Sequence, residues 1–556
     1  MIRKQRVYLV ITTLIAATIL SSCIPSPDLV WTGDFILTPP VPNVGDKVHI
    51  KQTWSNAGST PISSAFDIRL EIRRENSPVF EQYMRVHQPV APSEERTIDM
   101  TPEYVIPELG VYQITLTLDA KGVIAESREL NNVAESDSLS VVSFSKEADM
   151  AILAQAKEDI ERYRKGDVTI TIIDTERQPC SGLTVKYTQT QHSFLFGTFC
   201  ISSEERVWAL LKQAGLNYIA VWLGWDSVEP EPGTYSLDTD RIHFLRQFDF
   251  VGMGHCLIFL LQQEPSSTPI YVKDLSYEEY KQVVYPHIHK VIDQYKGEIK
   301  IWNVFNEPML THTNTLGLTE EQTIEVTKEG VRAIRDADPE GRILINNYNP
   351  GGESPGTHPY DFIQDAIRAG VDFDIIGLEF YYNAYNLAPL HLHPRRSLSS
   401  MGGLIDKYST LGKKIQVTEI SVPSAPVKGM QGYWGEPWSE NLQAEYLETA
   451  YTIFFGKPQL EAIIWWDATD IDSFIYHGGL LDEQHRPKKS YYALKNLIRS
   501  WTTIGTGLTD RNGQITFRGF GGSYQVVITN PDTGLSKKQE IKIEEQKDNL
   551  MTIVLD

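Results

Sequence analysis

The chain has 556 residues, a formal net charge of -21, 41% hydrophobic residues and 10% aromatic residues. This length exceeds what a single hydrophobic core usually supports, so we expect several domains. The acidic balance argues against nucleic acid as a partner, because phosphate binding needs a basic surface. The hydrophobic content excludes a largely disordered chain.

An export signal is predicted over residues 1–23. Basic residues at the start precede an apolar run over 7–20, which is short for a membrane span. The run ends in Leu-Ser-Ser-Cys, which resembles a bacterial lipobox and implies lipidation of Cys23. We therefore expect an exported lipoprotein that faces the cell surface or the periplasm and is anchored to the bacterial membrane through its lipid. A plain secretory signal is the alternative.

The other cysteines are Cys180, Cys200 and Cys256. Their spacing matches no metal-binding pattern, and three cysteines make no disulfide framework. The sequence therefore implies no metal and no cofactor. One disulfide is possible, and its pairing stays open.

Two segments follow the signal. Residues 24–44 hold five prolines and are interpreted as a linker. Residues 45–145 contain short alternating runs separated by turns, which is typical of an immunoglobulin-like β-sandwich. This segment resembles the CARDB family of bacterial adhesion modules, which usually serve as spacers or interaction domains. The resemblance is carried by Gly45-Asp46, Asn56-Ala-Gly58, Asp119, Glu126 and Glu129-Leu-Asn-Asn132.

Accessory segments are predicted on both sides of a central region. Residues 146–190 combine an amphipathic helix over 148–165 with two alternating strands around a turn at Gln178-Pro179, which predicts a helix plus a β-hairpin. Residues 501–556 again alternate in short runs and are interpreted as a small C-terminal β domain. The sequence assigns no role to the two small β domains.

Strands and long amphipathic helices alternate over residues 191–500. Eight such units in about 300 residues are what a (β/α)8 TIM barrel requires. Two helices begin with capping boxes, Ser276 with Glu279 and Thr319 with Gln322. The predicted strands lie near 194–200, 217–222, 252–260, 299–306, 342–347, 374–380, 414–419 and 461–466.

Two glutamates stand at the ends of apolar runs that are predicted as buried strands. Glu307 follows the fourth run and Glu419 ends the seventh. The C-terminal ends of barrel strands converge over one mouth, where catalytic residues lie. Two carboxylates at one cleft suit glycoside hydrolysis, with retention of configuration if the carboxyl groups lie ~5–5.5 Å apart and inversion at ~6.5–9.5 Å. Glu419 is expected as the nucleophile and Glu307 as the acid and then the base. Asn306 is expected at the sugar 2-hydroxyl.

Residues 191–500 resemble glycoside hydrolase family 10, the retaining β-xylanases, through eight motifs in chain order. These motifs are His192-Ser-Phe-Leu-Phe-Gly197, Trp225 with Glu229-Pro-Glu-Pro-Gly233, Gly254-His255, Trp302 through Glu307, Asn346-Asn-Tyr-Asn349, Thr418-Glu419, Trp465 before Asp470, and Leu480-Leu-Asp482 with Pro487-Lys488. The resemblance implies an endo-acting barrel that cleaves β-1,4-linked polysaccharide, most typically xylan, by double displacement. The implied substrate-binding residues are Trp225, His255, Asn306, Glu379, Tyr381 and Trp465.

The chain departs from this family on the glycone side of the expected cleft. Ala220, Val221 and Gly224 stand where the family has Glu, Asn and Lys, which bind the second sugar. Glu379 and Tyr381 stand where it has Gln and His. We therefore expect retaining β-glycosidase chemistry with altered sugar selection.

Other interpretations stay open for the protein and for single residues. The barrel could hydrolyse another β-glycan, or the protein could be a weakly catalytic, glycan-binding surface adhesion protein. His255 could be a core histidine, Glu379 an ion-pair partner, and Trp225 and Trp465 packing residues. The intact pair of glutamates favours an enzyme.

Overall fold

The structure, a computed structural model, describes residues 25–38, 42, 47–75, 77–87, 89–107, 110–128, 130–136, 139–141, 144–236, 239–261, 267–309, 314–348, 350–351, 358–381, 396–427, 432–471 and 473–555. The predicted lipidation site, Cys23, lies outside these residues. The chain divides into two compact units, Met1–Ser143 and Phe144–Asp556.

The first unit consists of antiparallel strands in two sheets around one apolar core. One sheet has the order β1-β2-β5, and the other has the order β4-β3-β6-β7 with β8 paired to β6. Alternate residues of the strands point into the core, which includes Ile50, Trp54 and Leu70. The strands are β1 Leu29–Thr38, β2 His49–Asn56, β3 Phe66–Arg74, β4 Ser77–Val86, β5 Glu95–Met100, β6 Gly110–Thr117, β7 Val133–Glu135 and β8 Leu139–Val141.

The predicted linker over 24–44 is wrong in part, because β1 lies within it. Leu29 of β1 is fully buried in the core of the first unit. The strand pairs antiparallel with β2, from Leu29 opposite Asn56 to Thr38 opposite His49. Prolines flank this strand but do not interrupt it, so their number misled the interpretation.

The predicted TIM barrel is confirmed in the second unit. Eight parallel strands close in sequence order from β11 to β18. They are β11 Leu195–Phe199, β12 Tyr218–Trp222, β13 Val251–His255, β14 Ile299–Asn306, β15 Arg342–Asn347, β16 Ile375–Glu379, β17 Lys414–Ile420 and β18 Leu460–Asp467. The third strand ends at His255, five residues before the predicted end.

Alternate residues of each barrel strand face either the interior or the surrounding helices. Interior positions form one cluster that includes Ala220, Met253, Leu344 and Trp466. The positions between them pack against the helices in a separate, larger cluster. A barrel interior filled by side chains is a packed core, so the open site lies above it, at the C-terminal strand ends.

Helices follow the strands around the barrel. Both predicted capping boxes are present, with Ser276 and Glu279 at the start of α6 and Thr319 and Gln322 at the start of α7. The helices of the second unit are α1 Lys146–Tyr163, α2 Glu205–Gln213, α3 Trp225–Val228, α4 Asp240–Gln247, α5 Ile270–Lys273, α6 Tyr277–Tyr295, α7 Glu320–Ala337, α8 Pro359–Arg368, α9 Leu398–Ser409, α10 Glu440–Phe455 and α11 Lys489–Ser500.

Strands from both flanks of the barrel combine into one β structure. The two sheets have the orders β19-β10-β21-β22 and β20-β9-β23, and their apolar faces share one core. The predicted hairpin is therefore wrong for the two strands, because β9 and β10 lie in different sheets. Apart from one isolated bridge between Ile173 and Pro179 at the turn, they pair with strands that follow the barrel. The strands are β9 Lys165–Ile173, β10 Thr184–His192, β19 Ile504–Leu508, β20 Gln514–Phe520, β21 Gly522–Thr529, β22 Ser536–Ile543 and β23 Asp548–Val554.

Arg164 joins this flanking sandwich to the barrel. Its guanidinium is 97% shielded from solvent, and it donates to the carbonyl oxygens of Phe455 and Leu460 at 2.6 and 2.7 Å. It also forms an ion pair with Glu545 at 3.4 Å. A buried charge that satisfies backbone acceptors on one side and a carboxylate on the other fixes the two parts against each other.

The sequence left the disulfide pairing open. Cys180, Cys200 and Cys256 are free thiols. Within the described ranges, no helix is both long and apolar enough to span a bilayer.

Candidate active site

Glu307 lies directly after β14, at the mouth of the barrel. Its backbone has φ +52°, a left-handed conformation that is uncommon for a residue with a side chain. Its N–H donates to the carbonyl oxygen of Asn346 on the neighbouring strand at 2.9 Å. Such a conformation costs on the order of 1–3 kcal/mol and persists only where the surroundings hold it. The strand end therefore holds the Glu307 side chain, which is half-buried, in a set direction.

Glu419 lies deeper, on β17, and is 4% exposed. Its Oε1 accepts a hydrogen bond from Nδ2 of Asn346 at 2.8 Å, and its Oε2 accepts one from the Tyr381 hydroxyl. Both donors are neutral, so they stabilise the ionised carboxylate without cancelling its charge. The arrangement suits a nucleophile, which must stay charged and hold its orientation.

Asn346 on β15 is the central hydrogen-bonding residue of the site. Its Nδ2 lies 2.8 Å from Oδ1 of Asn306, 2.7 Å from Oε1 of Glu379 and 2.8 Å from Oε1 of Glu419. Its Oδ1 accepts a hydrogen bond from the hydroxyl of Thr418, which fixes the orientation of the amide. One fully buried amide thus connects three strand ends.

Asn306 and His255 are held by a second amide, that of Asn303. Nδ2 of Asn303 lies 3.0 Å from Oδ1 of Asn306 and 3.1 Å from Nδ1 of His255. No described residue accepts a hydrogen bond from Nδ2 of Asn306, which leaves this group for a substrate. Burial lowers the pKa of His255 to about 3, so the imidazole is neutral. Its Nε2, 3.9 Å from Glu419, then carries the proton.

Glu379, at the end of β16, is a third buried carboxyl in the site, with 1% exposure. Its Oε1 accepts from Asn346, whereas its buried Oε2 has no hydrogen-bond donor among the described residues. Burial, followed by the charges of Glu419 and Glu307, raises the pKa of Glu379 well above its ordinary value. The prediction that Glu379 belongs to the site fits this position, and the alternative of an ion-pair partner does not, since no cation pairs with it among the described residues.

The carboxyls of Glu307 and Glu419 do not have equal surroundings. Burial raises the pKa of each carboxyl above its ordinary value, so the site holds protons at neutral pH. Glu419 receives two hydrogen bonds that favour its ionised form, whereas no amide or hydroxyl side chain of the described chain donates to Glu307. We therefore assign the negative charge to Glu419 and a proton to Glu307. A protonated acid beside an ionised carboxylate is the pairing that acid-assisted displacement requires.

The comparisons with known proteins agree with this site. The model of glycosyl hydrolase family 10 matches residues 217–497, just over half of the chain, including both glutamates. The chain belongs to glycosyl hydrolase family 10. The CARDB model matches residues 26–136, which confirms the resemblance of the first unit and begins before β1.

Several curated proteins are similar to the chain at low sequence identity. Endo-1,4-beta-xylanase 1 of Arabidopsis thaliana is 24% identical over 403 residues, which cover 70% of this chain and 39% of the plant protein. Endo-1,4-beta-xylanase B of Thermotoga neapolitana is 25% identical over 286 residues, 49% of this chain and 78% of that protein. Anti-sigma-I factor RsgI6 of Acetivibrio thermocellus is 23% identical over 396 residues, 68% of this chain and 47% of that protein. The chain thus spans less than half the length of two of these relatives.

Solved family 10 structures also align with the chain. Xylanase 10B from Thermotoga petrophila RKU-1, in complex with xylobiose, aligns with a TM-score of 0.43 and 23% identity over 55% of this chain and 94% of that chain. Native xylanase 10B from Thermotoga maritima aligns with a TM-score of 0.43 and 22% identity over 55% of this chain and 95% of that chain.

Two tryptophans predicted to bind substrate lie elsewhere in the family 10 barrel. Trp225 is 3% exposed, stacks on His287 with ring centroids 4.1 Å apart, and donates its indole N–H to Glu229 at 3.0 Å. Trp465 is fully buried on the helix-facing side of β18, and its indole N–H donates to the carbonyl oxygen of Gly478. Both tryptophans are packing residues, which was the alternative interpretation.

Trp466 takes the interior position that was predicted for Trp465. Its ring stacks on Phe199 with centroids 4.4 Å apart, and it meets the edge of His255 at 4.9 Å. The ring centroid of Trp222, at the end of β12, lies 5.7 Å from that of His255 and 6.5 Å from that of Phe199. Phe199, Trp222 and Trp466 thus form an aromatic wall beside His255.

Sequence reasoning missed three groups of this site. Asn346 and Thr418 lie in quoted motifs, but their types alone do not show that one amide connects three strand ends. Trp466 was missed because its strand, Leu-Glu-Ala-Ile-Ile-Trp-Trp-Asp, is apolar on both faces and shows no alternation. Counting outward from Ala462 and Ile464, which are interior, would have found it.

Proposed function

We propose that the barrel is a retaining endo-β-1,4-glycanase that acts on xylan by double displacement. The proposal is carried by the opposite surroundings of the two glutamates: Glu419 accepts hydrogen bonds on both oxygens, whereas no amide or hydroxyl side chain of the described residues donates to Glu307 at the rim. The names of the Arabidopsis and Thermotoga relatives support xylan as the substrate.

In the first step, a carboxylate oxygen of Glu419 bonds to the anomeric carbon as the glycosidic C–O bond breaks. The proton of Glu307 moves to the leaving oxygen, so the aglycone departs as a neutral alcohol. The amide N–H of Asn306 donates to the sugar 2-hydroxyl, a contact that strengthens as positive charge develops on the ring.

In the second step, Glu307 is ionised and takes a proton from water. The water oxygen bonds to the anomeric carbon, and the ester bond to Glu419 breaks. Both groups then return to their starting protonation states. Tyr381 and Asn346 remain beside the Glu419 oxygens and stabilise the carboxylate as it leaves.

The mechanism is tested by trapping the ester. A 2-deoxy-2-fluoro xylobioside with an activated aryl leaving group slows both steps, and the good leaving group lets the first proceed. We expect stoichiometric inactivation and a mass increase on the peptide that contains Glu419. Glu340→Gln, at an exposed residue outside the site, is the matched control and should be labelled as the unaltered protein is. Absence of label together with turnover of the natural substrate would contradict double displacement.

A second substrate, a β-glycan other than plain xylan, is favoured by the aromatic wall. Ala220 itself contributes no polar group to the interior face of β12. A Cβ atom at Gly224 would lie 2.5 Å from the Trp222 ring, so the missing side chain leaves room for that ring. An apolar wall rejects a mismatched sugar less strongly than a polar one. The test compares kcat/KM on xylotetraose, branched xylans and mixed-linkage glucans, and a clear preference for plain xylotetraose would favour ordinary xylan.

We also propose that the protein is held at a bacterial membrane through a lipid on Cys23. The proposal rests on the basic start, the apolar run and the Leu-Ser-Ser-Cys that follows it. Anchoring would keep the enzyme at the cell that uses the released sugars. Metabolic labelling with a clickable fatty acid tests it, and absence of label on the full chain would contradict it.

A further inference from the structure

The carboxyls of Glu307, Glu379 and Glu419, here called the carboxyl cluster, contain more acid groups than the proposed reaction uses. The proposed mechanism assigns one proton to Glu307 and one charge to Glu419. Glu379 takes no part in either transfer, yet it lies between them, with both other carboxyls in hydrogen-bonding range. A third carboxyl at this position needs a physical account.

A count of hydrogen-bond donors around the cluster shows where a proton is missing. Asn346 has two N–H groups for the Oε1 atoms of Glu379 and Glu419, because Asn303 already donates to Asn306. Tyr381 supplies Oε2 of Glu419. Within the carboxyl cluster, and counting donors from the described residues, Oε2 of Glu379 is left as a buried carboxyl oxygen without a donor. A buried carboxylate oxygen in that state is costly, whereas a carboxylic acid O–H at the same place is a donor.

The charges around Glu379 also favour a proton on this residue. The titratable groups around Glu379 and Glu419 include Glu307 after β14, Tyr381 after β16, Cys256 after β13, His255 on β13 and Asp467 on β18. None of these is a cation at neutral pH, since the imidazole of His255 is neutral. Within the described ranges, no lysine or arginine forms an ion pair with the cluster. Two adjacent negative charges would therefore be uncompensated in a buried site.

We propose that Glu379 is a positioning residue that stays protonated through the catalytic cycle and donates its O–H to the other two carboxyls. The proposal rests on the double displacement proposed above. In the resting enzyme the negative charge is on Glu419, and after the first step it is on Glu307, while Glu419 is an ester. Glu379 adjoins both, so its O–H meets the single negative charge in either state. Its own proton is neither consumed nor released.

Two substitutions separate this role from simple space filling. Glu379→Gln keeps the size and supplies N–H donors in place of the O–H, whereas Glu379→Ala removes both. We expect kcat/KM of Glu379→Ala to fall about 10- to 100-fold, the range for a lost hydrogen bond to a charged group. Glu379→Gln should recover most of that loss. Equal losses in two folded variants would overturn the proposal, and thermal unfolding shows whether each variant is folded.

The alkaline limb of the pH profile of kcat/KM depends on whether Glu379 is charged. If Glu379 is neutral, replacing it with neutral Gln removes no charge, and the limb set by Glu307 stays in place. If Glu379 is ionised, the replacement removes a negative charge beside Glu307 and lowers the pKa of that acid. The limb would then move toward lower pH by about one unit or more, which would overturn the proposal.

A measurement without substrate keeps this inference distinct from the proposed mechanism. Infrared difference spectra in H2O and D2O reveal protonated carboxyl groups through their C=O stretch. At neutral pH we expect Glu379→Gln to lose one such band relative to the unaltered protein, and Glu340→Gln to lose none. An unchanged spectrum would overturn the proposal. Failure of the fluoro-sugar to label Glu419 would overturn double displacement and leave the infrared result standing.

Discussion

The Tyr381 hydroxyl donates a hydrogen bond to Oε2 of Glu419, and both groups are almost fully buried. Their strands, β16 and β17, are neighbours in the barrel, with Glu379 opposite Glu419 in the register. Tyr381 follows Glu379 by two residues, and its hydroxyl contacts the Glu419 carboxylate. The Glu419 charge is thereby stabilised by a neutral donor, which lowers the basicity of the carboxylate less than an ion pair would.

Tyr381→Phe should weaken the nucleophile by removing that donor. A hydrogen bond to a charged group contributes about 1.5–3 kcal/mol, so kcat/KM should fall about 10- to 100-fold. The hydrogen bond lowers the pKa of Glu419, so its loss raises that pKa and moves the acidic limb of the profile toward higher pH. Tyr492→Phe, at an exposed tyrosine, is the control. An unmoved acidic limb would contradict the role of the hydroxyl.

Glu307→Gln should separate substrates by their leaving groups. Without the acid, glycosides with poor leaving groups should lose about 10²- to 10⁴-fold in kcat/KM. Activated aryl glycosides need no proton at the first step and should be largely spared there. Burst kinetics on both substrate types measure this difference. Equal loss on both would contradict the role of Glu307 as the acid.

Gly377→Ala should disturb the site through Asn346. A Cβ at this position of β16 would lie 2.4 Å from Oδ1 of Asn346 and 2.8 Å from Cγ2 of Thr418. We expect a stability loss of about 1–3 kcal/mol from overpacking and a fall in kcat, because the amide that orients Glu419 must shift. Gly403→Ala, in the exposed part of α9 with open space around it, should be neutral or slightly stabilising. Denaturant unfolding and steady-state kinetics test both variants.

Asp149→Asn should stabilise the protein above about pH 6. Asp149, in the first turn of α1, is buried, and burial raises its pKa from 3.8 to about 6 despite a hydrogen bond from the Trp434 indole. The folded state therefore binds the proton more tightly than the unfolded state, and stability falls as pH rises from about 4 to 6.

Asparagine keeps an acceptor for Trp434 without the charge. The gain at pH 7 should be on the order of 1–3 kcal/mol, because a tenfold difference in proton affinity corresponds to about 1.4 kcal/mol, and it should vanish near pH 4. Unfolding curves at both pH values measure the gain, and Glu147→Gln in the same turn, at an exposed residue, is the control. A gain independent of pH would contradict the titration of Asp149.

Cys23→Ala should release the protein from membranes if the lipid is its anchor. Fractionation of the full chain, expressed in a bacterium, measures the share in the membrane pellet before and after a salt wash. Glu340→Gln, at an exposed residue outside the signal, is the control. Persistent membrane association of the cysteine variant would contradict the lipobox interpretation or reveal a second anchor.

The barrel was predictable because its strands are buried on both faces and form short apolar runs between amphipathic helices. Because β18 is apolar on both faces, its sequence does not show which of its residues face the barrel interior. Trp465 was therefore predicted as the substrate-binding residue, whereas Trp466 faces the interior. The glutamates were predictable from their places at strand ends. Their hydrogen-bond partners were not, because donors such as Asn346 come from strands that are distant in sequence.

The small β regions were predicted less well, for a different reason. Alternation identifies a strand but not its partner, and a turn between β9 and β10 made a local hairpin the simplest choice. Their true partners follow the barrel, more than 300 residues later. β1 was missed because prolines on either side of it outweighed its apolar pattern.

The flanking sandwich, built from β9, β10 and β19 to β23, makes the barrel an insertion within another fold. Both β9 and β10 are synthesised before the barrel, and their neighbours β19, β20, β21 and β23 after it. During synthesis on the ribosome, the edges of these two strands stay unpaired until the whole barrel has been made. An expression fragment cut at the limits of the family match would leave them out or leave them unpaired. The smallest self-contained catalytic fragment therefore begins near α1 and retains the C-terminal strands.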